Sequence, residues 1–225
     1  DCYVFIPRVF SYPNLKMGAH RNEDFGNMIN GTTGQVSTTC ILKDVDSRAM
    51  IDFAAVHNSN NDFALNGPQN IKANLRNYWC NGTPLPPLKS SSTEAEVNEN
   101  FGEFTSTVTK LLVLQESKGY GELIRNIKEG NIEEISPTDE ITKALFNIDM
   151  DAEGSNSVRS RQKAEAEDKE ASNIYKAGSV VVFKNLKKNK FGIMIIRSVN
   201  VDFDAVKATN DANATITFDL YYQRY

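Results

Sequence analysis

The sequence has few of the residues from which catalytic and metal sites are built. It contains only two histidines, His20 and His57, and neither lies in a His-Glu-x-x-His motif. No Gly-x-Ser-x-Gly, Walker A or dinucleotide-binding glycine motif is present. We therefore expect two loop histidines that bind no metal, and a protein that is not an enzyme. A pair of carboxylates that meets only in the folded chain would leave no such motif.

Excess positive charge and long apolar runs are also missing. The chain of 225 residues carries 25 Lys and Arg against 29 Asp and Glu, a net charge of −4. A nucleic-acid surface needs a basic face, so we expect no nucleic-acid partner. No apolar run approaches the roughly 20 residues of a membrane-spanning helix. No signal peptide is visible before the abrupt start at Asp1, and we expect that the chain was processed from a longer precursor.

Cysteine is scarce and odd in number. The three residues are Cys2, Cys40 and Cys80, and no Cys-x-x-Cys pair occurs, which excludes a zinc ribbon and a thioredoxin-type site. We expect three thiols, and the alternative is a Cys40–Cys80 disulfide in an oxidising compartment. Cys2 lacks the residues of a lipobox before it, so we do not expect it to carry a lipid.

The clearest fold signal is a set of strand-like runs. Residues 215–222 alternate strictly between apolar and polar positions, which predicts a strand with one buried face. Residues 193–196 and 180–183 are unbroken apolar runs, which predicts strands covered on both faces. Residues 50–56 form another buried run, and Asp52 inside it is expected to have a structural role, hydrogen-bonded or facing outward.

Helices and loops are predicted between these strands. Residues 120–128 place apolar side chains on one helical face, and residues 136–139 have the residue types of a helix start. Residues 57–70 are rich in asparagine and residues 81–93 in proline and serine, so both are predicted to be loops.

The predicted fold class is mostly β (α+β). We expect a β-sandwich-like core with two or three short helices, formed as a single β-rich domain over residues 1–225. Residues 149–174 alternate in charge without an apolar stripe and are predicted to be an inserted solvated helix or loop.

Six short motifs follow one another in a pattern that resembles secreted or lipid-anchored β-rich surface proteins of Bacteroidetes-type gut bacteria, most of which have no assigned function. The motifs are Leu15-Lys-Met-Gly-Ala19, Gly31-Thr-Thr-Gly-Gln-Val36, Ile51-Asp-Phe53, Asn66-Gly-Pro68, Gly178-Ser-Val-Val-Val-Phe-Lys184 and Lys190-Phe-Gly-Ile-Met-Ile195. The resemblance implies an extracellular or outer cell-surface location, with a lipid anchor as one route to it. It brings no catalytic residues with it, and the insertion at 149–174 departs from the pattern.

One segment partly matches a calcium-binding loop. Asp149, Asp151 and Glu153 provide oxygen ligands at alternate positions and a glycine follows. The second half does not match, because Asn156 and Ser160 stand where an apolar residue and a bidentate glutamate are needed. We therefore predict no EF-hand, and calcium is the one cofactor that the sequence suggests, through surface binding by this loop.

Aromatic residues are the best ligand-binding candidates. Tyr78 and the single tryptophan, Trp79, lie beside the proline-rich loop, and an exposed aromatic ring can stack on the apolar face of a sugar. The alternative places Trp79 in the core and Tyr78 at its edge. Tyr221, with Tyr222 and Tyr225, is predicted to face outward near the C-terminal end.

Three functional hypotheses follow. The first is a non-enzymatic extracellular module that binds a glycan or another nutrient ligand, because catalytic motifs are lacking and the loops are rich in Asn and Thr. The second is an adhesion or structural component that contacts other proteins of the cell envelope. The third is a carbohydrate hydrolase, which would need two carboxylates about 5–10 Å apart in a cleft.

Overall fold

The computed structural model describes residues 9–22, 24–57, 62–130, 148–160, 173–202 and 213–224. The strands are β1 (Val9–Gly18), β2 (Met28–Asn30), β3 (Gln35–Ser37), β4 (Phe53–His57), β5 (Phe63–Asn66), β6 (Trp79–Cys80), β7 (Thr83–Pro84), β8 (Thr109–Val113), β9 (Ser157–Ser160), β10 (Val180–Asn185), β11 (Lys190–Asn200) and β12 (Thr215–Gln223). The α-helices are α1 (Val45–Ala49), α2 (Glu94–Thr105) and α3 (Gly121–Glu129), and 3-10 helices span Thr39–Lys43, Pro68–Asn77 and Glu116–Lys118.

Two five-stranded antiparallel sheets form the centre of the fold. The first sheet has the order β1-β12-β11-β10-β8 and the second has the order β3-β2-β4-β5-β9. The mostly β, sandwich-like fold with short helices that the sequence predicts is therefore confirmed.

The main core lies between the two sheets. Alternate residues of β12 point into it, and the predicted apolar face of this strand is buried: Ile216, Phe218, Leu220 and Tyr222. Aromatic rings from both sheets meet there, with the ring centroids of Phe53 and Phe183 5.1 Å apart. Edge-to-face packing at this distance adds to the free energy gained from burial alone.

Helices cover the outer faces of both sheets. Because β10 and β11 are apolar on both sides, their outward residues need a second layer, and α3 supplies it through Leu123 and Ile127. On the other side, α2 and the 3-10 helix Pro68–Asn77 pack their apolar side chains against Ala54 and Val56 of β4. The order of layers is thus helix, sheet, sheet, helix.

Asp52 joins the two sheets through a set of hydrogen bonds. Its carboxylate has no exposed surface and accepts from the Gly31 amide at 2.7 Å, in the turn between β2 and β3. From the first sheet it accepts from Asn185 Nδ2 at 2.8 Å, Tyr222 Oη at 3.0 Å and Lys188 Nζ at 3.0 and 3.1 Å. The expected structural role of this carboxylate agrees with these contacts.

Several local predictions were wrong. Residues 57–70 are not a loop, because they contain β5 and the start of a 3-10 helix. The 149–174 insertion contains strand β9, which pairs with β5. Val158 of this strand is buried in the core between the two sheets. Helix α2 was not predicted at all. The helix over residues 120–128 is confirmed as α3, while the helix start at 136–139 lies outside the described residues.

Candidate functional site

The only tryptophan lies on a tight β-hairpin. Strands β6 and β7 pair Trp79 with Pro84, and the two connecting residues are Asn81 and Gly82. Both have positive φ, 55° and 73°, which is the conformation required at the two central positions of a type I′ turn. Asn-Gly is the dipeptide that adopts this turn at least cost, so the local sequence specifies the geometry. We name residues 79–84 the Trp79 hairpin.

A disulfide anchors the Trp79 hairpin. Cys80 is buried and bonded to Cys40 in the 3-10 helix Thr39–Lys43. The expectation of thiols at these two positions is therefore wrong, because the fold brings the two Cα atoms to 4.9 Å. Cys2 lies outside the described residues. The disulfide fixes one strand of the hairpin to the body of the protein.

Two side-chain pairs connect the loop after β1 to this hairpin. The His20 and Tyr78 rings have centroids 4.8 Å apart, and both side chains are buried. One residue further along each segment, the Arg21 guanidinium carbon lies 4.5 Å from the centre of the Trp79 ring. This second pair is only partly buried. The two pairs are adjacent: the His20–Tyr78 pair lies inside the protein, and the Arg21–Trp79 pair lies at its surface.

The burial of the two aromatic residues differs from the sequence expectations. Tyr78 is 1% exposed, so it is not a surface platform, and Trp79 is the partly exposed residue of the two. The alternative that placed Trp79 in the core and Tyr78 at its edge is wrong, because Tyr78 is the buried residue and Trp79 lies at the edge. Side chains alternate along the extended segment of residues 78–80, so Tyr78 and Cys80 point inward and Trp79 points outward. Tyr78 packs there with Leu75 and Leu85.

The inner pair is electrically neutral near pH 7. Burial, with smaller contributions from Arg21 and His57, lowers the pKa of His20 to about 3. Burial raises the pKa of the Tyr78 phenol far above its usual value. Of the four side chains in the two pairs, the one that carries a charge is therefore Arg21.

Arg21 has unused hydrogen-bonding capacity. Its Nε is buried, and no acceptor for it is found among the described residues. Within that part of the chain no carboxylate forms an ion pair with Arg21 either. The contact with the Trp79 ring leaves the terminal N–H groups of Arg21 without an acceptor among the described residues, so these groups are available for a ligand. The Arg21–Trp79 pair is thus able to bind a ligand that offers both an apolar face and hydrogen-bond acceptors.

The third aromatic candidate lies elsewhere. Tyr221 of β12 is partly buried against the cluster under α3, on the outer face of the first sheet. The Trp79 hairpin lies on the outer side of the second sheet, so the structure does not bring Tyr221 to it. Two predictions for Tyr222 conflicted, since it was grouped with the outward-facing Tyr221 and also falls on the alternating apolar face of β12. It is buried between the sheets beside Leu220, so the outward prediction is wrong. Tyr225 lies outside the described residues.

The three calcium candidates do not converge. The Asp149 carboxylate accepts from the amides of Asp151 and Ala152, each at 3.1 Å, and so caps its own turn. The Glu153 carboxylate accepts from the Tyr120 hydroxyl. Throughout the described ranges, no group of three or more His, Cys, Asp or Glu residues is placed to hold a metal ion. Surface calcium binding by this loop stays a prediction.

Sequence reasoning missed Arg21 and could have found the hairpin. The Asn81-Gly82 dipeptide after Trp79-Cys80 is a strong local signal for a two-residue hairpin. Nothing near Arg21 signals its partner, because 58 positions separate it from Trp79 and only the folded chain brings them together.

Comparison with known proteins gives little further information. No family model and no curated protein matches the chain. The chain is similar to the crystal structure of a DUF4466 family protein from Parabacteroides merdae, with a TM-score of 0.49 and 12% sequence identity. The similarity covers 98% of this chain and 55% of that one, so this chain spans about half the length of its neighbour. Parabacteroides belongs to the Bacteroidetes gut bacteria that the sequence resemblance names. A likeness of this size establishes neither a family nor a function.

One further finding concerns membranes. No helix within the described residues is both long enough and apolar enough to cross a bilayer.

Proposed function

We propose that the protein is a non-enzymatic binding module of the cell surface that binds a glycan through the Trp79 hairpin. The observation that carries the proposal is the placement of the only tryptophan, partly exposed, on a hairpin that a type I′ turn and a disulfide hold in place. An aromatic ring at the surface offers the flat apolar area against which the C–H face of a sugar packs.

The rigidity of the Trp79 hairpin supports a binding role. A surface that is already ordered loses little conformational entropy when a ligand binds, so more of the contact energy appears as affinity. The exposed Asn81 and Thr83 beside Trp79 add amide and hydroxyl groups that can hydrogen-bond sugar hydroxyls.

The groups at the site suit binding better than catalysis. An indole, a guanidinium and an amide make contacts but neither attack a substrate nor exchange a proton near pH 7. The nearest histidine, His20, is buried and stays uncharged at that pH, because its pKa is lowered to about 3. A general acid or base works best with a pKa near the working pH.

The Cys40–Cys80 disulfide supports an extracellular location. Disulfides persist in oxidising compartments and are rare in the cytosol. We also propose that residues 1–225 form one domain, because a single cluster of buried residues draws side chains from both sheets.

The test uses Trp79 as its own reporter. Soluble plant, host and microbial glycans are titrated into the purified protein, and the fluorescence of the single tryptophan is followed together with the heat of binding. We expect at least one glycan to bind and Trp79→Ala to weaken it tenfold or more, which corresponds to about 1.4 kcal/mol.

Phe25 provides the matched control. It is an aromatic residue 41% exposed, with the Lys16 ammonium 4.1 Å from its ring centre, so Phe25→Ala removes another aromatic–cation pair from the surface. Phe25→Ala should leave the affinity within twofold. Equal losses in both variants, or no binding across the panel, would contradict the proposal and direct attention to protein partners.

A further inference from the structure

We infer that the glycan bound at the Trp79 hairpin carries a carboxylate, as a uronic acid does, and that Arg21 is the residue that selects it. This inference rests on the proposed function and names the chemical class of its ligand. It depends on the geometry and the unused donors of Arg21.

The fold limits the orientation of the Arg21 side chain. A free arginine side chain samples many conformations, whereas the Arg21 guanidinium lies over the Trp79 ring, with its carbon 4.5 Å from the ring centre, and this contact limits the orientations open to it. Trp79 is itself held by the hairpin, whose other strand residue, Cys80, is bonded to Cys40. The orientation of the guanidinium is therefore restricted by the fold before a ligand arrives.

One donor of Arg21 has no acceptor in the described part of the chain. Arg21 Nε is buried yet has no acceptor among the described residues, although buried polar groups are nearly always hydrogen-bonded. An arginine that has a structural role would be expected to pair with a carboxylate, as Arg48 does with Glu103 at 2.7 Å and Arg159 does with Asp62 at 3.2 Å. Arg21 lacks such a partner in the described part of the chain. Arg21 as a whole is partly exposed, so a ligand can supply an acceptor to the guanidinium N–H groups that reach the surface.

A carboxylate is the acceptor that best fits the Arg21 guanidinium. The planar fork of a guanidinium matches the two oxygens of a carboxylate, and the paired N–H···O bonds are stronger than bonds to neutral hydroxyls. A sugar acid offers this group on the same molecule as a C–H face, which would pack on the part of the Trp79 ring that Arg21 leaves uncovered. The net charge of −4 repels long polyanions, which favours a short acidic glycan bound at one cationic position over a polymer bound along the surface.

The test compares sugars that differ only at the carboxyl group. Trigalacturonic acid and its methyl ester, and 3′-sialyllactose and its methyl ester, are titrated into the protein by calorimetry and by Trp79 fluorescence. We expect each acid to bind at least tenfold more tightly than its neutral counterpart. Arg21→Gln should bring the ratio of the two affinities close to one, and Arg21→Lys, which keeps the charge but not the fork, should give an intermediate ratio.

Lys118→Gln is the charge-matched control. Lys118 is exposed on the 3-10 helix beside α3, on the outer side of the first sheet, and its replacement changes the net charge by the same amount. It should leave the preference for the acid unchanged. Thermal unfolding midpoints confirm that each variant is folded before its affinities are compared.

The outcomes separate this inference from the proposed function. Equal binding of acid and ester, both lost in Trp79→Ala, would overturn the choice of an acidic sugar and leave the glycan site standing. A preference for the acid that survives in Arg21→Gln would overturn the role of Arg21. If none of the four sugars binds and the wider glycan panel also fails, the proposed function falls with the inference.

Discussion

Asp52 shows how much of the fold depends on one carboxylate. Its donors come from a turn of the second sheet and from two strands and a hairpin turn of the first, up to 170 positions away in sequence. The Lys188 ammonium, on a side chain only 13% exposed, also donates to the Met50 carbonyl at 2.6 Å. A buried carboxylate is stable only when this many donors surround it.

We predict that Asp52→Asn lowers the free energy of unfolding by about 3–5 kcal/mol, because it leaves Lys188 without its counter-charge. Urea unfolding at pH 7.5 measures this change. The matched control is Asp46→Asn on the exposed first turn of α1, which should change the free energy by no more than about 0.5 kcal/mol. Equal effects in the two variants would show that the network contributes no stability.

We predict that His20 makes the free energy of unfolding depend on pH. Its folded pKa is about 3, below the ordinary value of 6.5, so at mildly acidic pH the unfolded chain binds a proton that the folded chain does not. Stability from this group is therefore full above about pH 6.5 and falls as the pH decreases, by about 1.4 kcal/mol per unit. Between pH 7.5 and pH 5.0 the loss is about 2 kcal/mol.

Urea unfolding of the wild type and of His20→Gln at these two pH values separates His20 from the other titrating groups. The wild type should lose about 2 kcal/mol more than the variant over this interval. Parallel losses would mean that His20 is protonated in the folded protein. The comparison uses a difference within each protein, so a general loss of stability in the variant does not affect it.

At the scale of elements, the Trp79 hairpin depends on a covalent link. The Cys40–Cys80 bond closes a loop with a sequence separation of 40, and the chain-entropy model assigns about 4 kcal/mol to a loop of this size. We predict that a reducing agent lowers the free energy of unfolding of the wild type by about 3–4 kcal/mol.

Thermal and urea unfolding with and without the reducing agent measure this effect. The double variant Cys40→Ser with Cys80→Ser should resemble the reduced protein and be insensitive to reductant. A wild type whose stability does not change on reduction, with both thiols shown to be free by thiol titration, would contradict the prediction.

Element prediction from the sequence succeeded where the pattern is local. The alternation over β12 and the helical face of α3 need no distant partner to be recognised. Strand β5 was missed because its four residues are all buried and show no period. Helix α2 was missed although its start carries a capping box, in which the Thr93 amide donates to Glu96 at 2.6 Å.

The candidate site was only partly predictable for the same reason. Trp79 and its neighbour Tyr78 were identifiable as candidates, but the extended segment that holds them is too short to show a period that tells which of them faces the core. The partner that gives the surface its charge, Arg21, is set by tertiary contact alone. Local patterns therefore identified the aromatic residues of the candidate site, and the packing of distant segments determined which of them is exposed and which charged group lies beside it.

At the scale of the molecule, buried tyrosines determine the response to high pH. Burial raises the pKa of Tyr78, Tyr175 and Tyr222, and Asp62 and Asp52 raise the last two further. Folded and unfolded chains are equally protonated at these phenols below about pH 10. Above it the unfolded chain releases protons first, so stability falls as pH rises.

We predict that the free energy of unfolding decreases above pH 10 by about 4 kcal/mol per pH unit, the sum of three phenols at about 1.4 kcal/mol each. Urea unfolding between pH 9 and pH 11 gives the slope, and absorbance at 295 nm counts the phenols that ionise only on unfolding. Tyr222→Phe should reduce the slope by about one third. A full set of tyrosines that ionises while the protein is still folded would disprove the prediction.

The pairing of β1 with β12 also governs the order in which the protein can be built on the ribosome. Met17 has Ile216 as its cross-strand partner, so the first described strand waits for the synthesis of about 200 more residues before the first sheet can accept it. At about 5–20 residues per second this takes roughly 10–40 s. During that interval the apolar side of β1 has no partner strand in the first sheet, so this sheet is completed only after β12 has been made.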